Sequence, residues 1–347
     1  MAVVSVTGTM DASALGVTVP HEHVYIDLSV FFNEPHEAGG KSAADPPVSM
    51  EKLGVLRRNP YALRDNLLLT EPGTQTKELL HFKNAGGRTV VDATTVGIGR
   101  DPLPLRDAAV ETGLNIVAGS GFYVEDSLSP KVREMSVAQM EAQIVKEIDT
   151  GIGRTGIRAG IIGEIGISFE MRPFERKSLI AACRAQKRTG APLMVHINPW
   201  SLCGLDAARI IREQGVKPSK AVICHVDVDI RRDYIHRLLD EGVFVEFDNF
   251  GKEMFIDKKD LTPTSGRFAT DWERVTAIGE LVDGGYENQL LISGDICLKT
   301  LLHAYGGWGY DHVLTHILPM LDEAGVSARS IRRMIVENPA AWLDFER

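Results

Sequence analysis

AGIIGEIGIS, residues 159–168, carries apolar or glycine residues on both of its alternating faces, with Glu164 the single charge. A strand with one face in water would alternate apolar and polar residues. A run that is apolar on both faces suits a strand covered on both sides, as in a parallel sheet. A carboxylate set alone among Ile and Gly is costly unless it is paired or bound to a metal. Seven further runs share the pattern: 18–27 (TVPHEHVYID), 88–95, 115–124, 192–197, 221–226, 243–249 and 289–295. Between them lie segments with apolar residues at helical spacing, most of them ending on glycine. In PGTQTKELLHFKNAGG, for example, Thr74 or Thr76 is a candidate N-cap and Gly86-Gly87 a stop. The alternation continues after the eighth strand with DHVLTHILPMLDEAGV.

Eight repeats of strand and helix favour a closed barrel over an open doubly wound sheet. An open sheet would more often carry a GxGxxG phosphate loop after its first strand, and that motif is absent there. The expected fold class is therefore α/β, a (β/α)8 TIM barrel, preceded by a short β-hairpin in VVSVTGTMDASALGVTV. No composition shift marks a linker, so residues 1–347 are expected to form one domain. The Pro- and Gly-rich stretch 28–73 reads as a long loop after the first strand, and 250–271 as another after the seventh. Loops of this length are more often functional than ornamental, and together they imply a covered pocket.

With 44% hydrophobic and 24% charged residues in 347, a core of this size needs no disulfide or structural metal. A net charge of −9 argues against a nucleic-acid or anionic-membrane surface. Cys183, Cys203, Cys224 and Cys297 show no CxxC spacing and read as reduced thiols. With no signal-peptide pattern and no apolar run approaching about 18 residues, a cytoplasmic protein is expected.

The chemistry is expected at the C-terminal ends of the strands, where a barrel of this class places it. His21 and His23 lie two apart on the first strand and so face the same way. Glu164 lies in the fourth strand, His196 ends the fifth, His225 the sixth and Asp295 the eighth. Each has an ordinary structural explanation when taken alone; six at one rim point to a shared site. Six N and O ligands exceed what one tetrahedral zinc needs and suit two metals sharing a carboxylate. Zn²⁺ fits this donor set best, with Mn²⁺, Co²⁺ and Fe²⁺ also compatible. The remaining histidines (His36, His81, His236, His303, His312 and His316) fall on helical or loop segments and read as surface or packing residues.

From HEH through GEIGIS, VHI, CHVD and SGDICLK to ENPAAWL, the chain resembles the phosphotriesterase-like family of the amidohydrolase superfamily. That resemblance implies that His21, His23 and Asp295 hold a more buried metal and His196 and His225 a more exposed one. Glu164 would bridge them together with a hydroxide, and Asp295 would be the catalytic residue that accepts the hydroxide's proton. Two features depart from the organophosphate hydrolases of the family. Glu164 stands where they have a carbamylated lysine, which places the chain in a glutamate-bridged branch. Asn249 lies near the place of a histidine thought to relay protons. Asp227 is either a partner behind the ligands or a loop or helix cap.

The expected substrate-contacting residues are Phe122 and Tyr123 after the third strand, Lys252 after the seventh, and Trp308 on the loop AYGGWGYDH. The expected activity is hydrolysis of a small ester-like molecule, a lactone or carboxylic ester. Cleavage of a small N-acyl amide, phosphotriester hydrolysis and a non-catalytic metal-binding barrel are the alternatives. The partner is a small-molecule substrate, and the resemblance suggests a homodimer.

Overall fold

The structure, a computed structural model, describes residues 2–33, 46–256 and 266–345. Its centre is an eight-stranded parallel sheet in sequential order. The strands are β1 (Thr18–Glu22), β2 (Thr89–Asp92), β3 (Asn115–Ser120) and β4 (Ile161–Ile167). Next come β5 (Leu193–Ile197), β6 (Ala221–Ile223), β7 (Phe244–Phe247) and β8 (Leu290–Ile292). The expected (β/α)8 barrel is present, with helices such as α1 (Pro72–Asn84), α2 (Pro102–Thr112), α3 (Val137–Asp149) and α4 (Pro173–Thr189) between strands. Further along the chain come α5 (Cys203–Glu213), α6 (Arg232–Asp240) and α7 (Asp271–Asp283).

The two apolar faces of each strand have separate destinations. Val91, Val117, Ile161, Met194, Val222 and Leu291 fill the barrel lumen in one buried cluster. Val90, Ile116, Ile162, Val195 and Ile223 belong to the larger core shared with the helices. The hairpin Ala2–Ser5/Gly8–Asp11 was expected, and it contributes Val3 to the lumen cluster, beside Leu15 and the C-terminal Trp342. The bottom of the barrel is thus plugged with apolar residues, and the polar residues collect at the other end.

Several strands are shorter than their apolar runs. β1 stops at Glu22, while Ile26–Asp27 forms a separate short strand paired with Leu68–Leu69. β6 and β8 end two and three residues before His225 and Asp295, both of which have positive φ (62° and 45°). The N-cap expectation at Thr74 or Thr76 is corrected: α1 starts at Pro72, with Glu71 in the capping position, so both threonines lie inside the helix. Proline is favoured in the first turn because its missing N–H would have no helical partner there.

Candidate metal centre

All six residues singled out from the sequence converge at the C-terminal end of the barrel. Glu164 is their hub. Its Oε2 lies 3.1 Å from His196 Nδ1, 3.5 Å from His21 Nε2 and 3.8 Å from His225 Nε2, and its Oε1 lies 3.4 Å from His23 Nε2. Asp295 Oδ1 faces His23 Nε2 at 3.2 Å and His21 Nε2 at 3.8 Å. Burial alone would raise the Glu164 carboxyl, but His196, His21 and His225 around it hold it well below the ordinary glutamate range. A glycine makes this placement possible. Gly163 has φ +136°, and a Cβ there would stand 2.3 Å from the carbonyl oxygen of Met194 on β5.

The outer ring nitrogens are held so that the inner ones face one another. His21 Nδ1 lies 3.1 Å from Glu246 Oε2 and 3.3 Å from Asp248 Oδ2. His225 Nδ1 meets Asp248 Oδ1 at 3.0 Å, and His23 Nδ1 meets Thr94 Oγ1 at 2.9 Å. Carboxylates accept from these nitrogens, which fixes the protonated side of His21 and His225 and leaves Nε2 as the free lone pair.

The donor set fits divalent metals on observations of this structure. His21 Nε2 is fully buried without a hydrogen-bond partner, which is costly for a polar atom unless something else satisfies it. His225 Nε2 and His196 Nδ1 lie 2.8 Å apart beside Glu164. The atoms of His21, His23 and Asp295, and those of His21, Glu164 and His225, each lie within 4.8 Å of one another. His21 and His23 are almost fully buried, whereas the His196 side chain keeps 13% of its exposure, so one end of the cluster is deeper than the other.

The other sequence-selected residues divide. Lys252 is buried, and its ammonium group contacts Asp295 Oδ2. Burial opposes ionisation of Asp295, yet the Lys252 charge holds its carboxyl well below the usual carboxylate range. Tyr123 lines the cavity with its hydroxyl 3.4 Å from both ring nitrogens of His196. Burial keeps that hydroxyl protonated. Phe122 is fully buried and packs edge-on against Phe174, so it belongs to the core instead of the cavity wall. Trp308 is half-exposed, stacked on His312 beside Gly251, and is not among the residues lining the cavity.

His312 pairs with Asp271 and His303 with Asp311, while His81, His236 and His316 make ring contacts, all five as packing or surface residues. His36 lies outside the described residues. Asn249 does not reach Asp295. Its amide donates to Asp227 Oδ1 (2.8 Å) and Asp248 Oδ1 (2.6 Å), and Asp227 is paired with the buried Arg274 at 2.9 Å. Asp227 therefore stands behind His225, linked to it through Asn249 and Asp248.

The cavity above the cluster holds about 140 Å³. Both long loops supply its walls, with Leu28, Phe31 and Tyr61 from the first and Met254 and Phe268 from the second, and Trp200 lies beyond β5. The sequence reading missed Thr94, Glu246 and Asp248. The signal was present in VEFDN, where Glu246 and Asp248 stand two apart on one strand face as His21 and His23 do.

Comparison with known proteins bears on the family and the fold. Residues 1–343 match the phosphotriesterase family. A protein from Mus musculus named N-acetyltaurine hydrolase is 37% identical over 347 residues, covering 99% of this chain and 97% of its own. The crystal structure of a resiniferatoxin-binding protein from Rhodobacter sphaeroides superposes with a TM-score of 0.94 at 35% identity, covering 99% of this chain and 96% of that one. A mutant lactonase from Deinococcus radiodurans superposes at 0.77 with 26% identity, covering 99% of this chain and all of that one. The chain belongs to the phosphotriesterase family.

Proposed function

We propose that this chain is a hydrolase holding two divalent ions, most suitably Zn²⁺, that cleaves a small carboxylic ester or lactone. His21, His23 and Asp295 would hold the deeper ion, His196 and His225 the outer one, and Glu164 both. The observation that carries the reading is the hub position of Glu164, with four imidazole nitrogens around one carboxylate and Asp295 beside them. Bound in such a site, divalent metals act as Lewis acids and lower the pKa of water toward neutrality.

The chain's own residues do the rest. Asp295 Oδ1 faces the ligand nitrogens, where it can accept the proton of the attacking water. The Tyr123 hydroxyl and the Lys252 ammonium reach the same cavity as donors, one toward a substrate oxygen and the other toward an anionic group. Phe31, Tyr61, Trp200, Met254 and Phe268 form an apolar wall for the acyl part.

A second reading, hydrolysis of a small N-acyl amide, is favoured by the relatives named N-acetyltaurine hydrolase and by Lys252. That lysine is the only Lys or Arg among the described lining residues. Ester and amide hydrolysis pass through the same kind of tetrahedral intermediate. The test is a panel of lactones, N-acyl amino acids, N-acyl aminosulfonates and phosphotriesters, assayed on protein stripped of metal and then reloaded. Metal-dependent turnover of a lactone or an N-acyl compound is expected, with phosphotriesters slower. A fully loaded protein that cleaves neither class overturns the proposal.

A further inference from the structure

Glu22, between the two histidines of β1, takes no part in the chemistry above. Its side chain points to the opposite face of the strand and is fully buried. Both of its oxygens are engaged by the turn that follows β8. Ser293 Oγ lies 2.7 Å from Oε1, Gly294 N–H donates to Oε1 at 2.8 Å, and Ile296 N–H donates to Oε2 at 2.7 Å.

The two backbone donors flank residue 295. Asp295 itself has φ 45°, a conformation that a non-glycine residue keeps only when its surroundings hold it. β8 ends at Ile292, so the strand ladder no longer fixes residue 295. What fixes it is the rim of β1. Asp295 N–H donates to the His21 carbonyl at 3.1 Å, Ser293 Oγ accepts from His21 N–H at 3.1 Å, and Glu22 grips the residues on either side.

We propose that Glu22 is a positioning residue for Asp295. It sets the turn so that Oδ1 faces His21 and His23 while Oδ2 meets Lys252. This rests on the reading of Asp295 as a ligand of the deeper metal. The His-Glu-His segment is then one device with two faces: the histidines supply two ligands, and the glutamate aims a third that comes from the far end of the chain. A carboxylate suits the task because it is acceptor-only, and three donors converge on it. A glutamine would turn an NH₂ group toward one of those donors.

The test is Glu22→Gln, with Ser293→Ala as a milder loss of one donor. Metal affinity is read by competition with a chromophoric chelator, beside kcat, KM and the melting of metal-free protein. For Glu22→Gln we expect one of the two ions to bind about 10-fold more weakly or worse, with the other within twofold of wild type. A kcat lowered at least about 10-fold with KM within threefold should accompany it, and Ser293→Ala should fall between.

Should Glu22→Gln fail to fold, Gly294→Ala serves instead. Its Cβ would press on Glu22 Oε1 from 3.3 Å, and the same single-ion weakening is expected. A variant whose chelator curve overlays wild type while only its melting changes would overturn the positioning role. Equal weakening of both ions would also overturn it. Wild-type protein that takes up no metal is a different result, because it removes the reading on which the proposal rests.

Discussion

Replacing Asp248 with alanine should weaken both metals together. Asp248 stands behind a histidine of each half of the cluster, with His225 Nδ1 at 3.0 Å and His21 Nδ1 at 3.3 Å. It also accepts the His225 backbone N–H at 3.1 Å and the Asn249 amide at 2.6 Å. Burial opposes its charge, but His225 beside it holds the carboxyl well below the usual carboxylate range. A hydrogen bond to a charged group contributes about 1.5–3 kcal/mol. Asp248→Ala removes both oxygens, so His225 loses its bond to Oδ1 and His21 its contact with Oδ2.

At about 1.4 kcal/mol per tenfold, that corresponds to roughly 10- to 100-fold weaker binding for each ion, the range seen when the partner behind a ligand is removed. Chelator competition on Asp248→Ala should therefore show both steps displaced, with activity recovered in excess metal. An unchanged titration, or displacement of one step alone, refutes the assignment of Asp248 to both histidines.

Other consequences can be checked in parallel. Lys252→Met leaves the buried Asp295 without its partner, so metal-free protein should lose about 3 kcal/mol or more, and metal should restore much of it. In loaded enzyme the same variant should cut kcat/KM at least about 10-fold for anionic N-acyl substrates, as expected for loss of a charge-assisted contact, and much less for neutral lactones. Equal losses on both would show that Lys252 does not select the substrate. Away from the site, Glu147 receives both Arg100 nitrogens (2.7 and 3.0 Å) and the Ser120 hydroxyl. Burial opposes its charge, but Arg100 holds its carboxyl below the usual range. Its folded value lies below the unfolded one, so its contribution is complete above the unfolded value of about 4.3 and fades as pH falls through the folded one. Glu147→Gln should cost about 3 kcal/mol at pH 7, with the difference from wild type narrowing in acid. A difference that stays constant down to about pH 3 contradicts this.

The barrel was legible because parallel strands are covered on both faces, so each wrote a continuous apolar run such as 159–168. The clustered polar residues were legible for the complementary reason. A charge or imidazole at the end of one such run has an ordinary explanation; six at one rim of a barrel call for a shared one. What the pattern hid depends on direction. Phe122 and Tyr123 are adjacent, so only one could face the cavity, and neither composition nor spacing says which.

Trp308 was expected to contact substrate from its glycine-rich loop, but its ring stacks on His312, whose imidazole is tied to Asp271. Asn249 stood at the expected place after β7, yet the pair behind it, Asp227 and Arg274, comes from segments before and after it in the chain. Lys252 was singled out for substrate contact; its ion pair with Asp295 required the fold to bring the ends of β7 and β8 together.

His21, His23, Glu164, His196, His225 and Asp295 are proposed to hold two catalytic ions. Elemental analysis of protein stripped, reloaded with Zn²⁺ and freed of excess metal measures this directly, with turnover followed on the same samples. Two ions per chain are predicted, with full activity only when the second is bound. One ion or none per chain, or turnover that persists in the stripped protein, would contradict it.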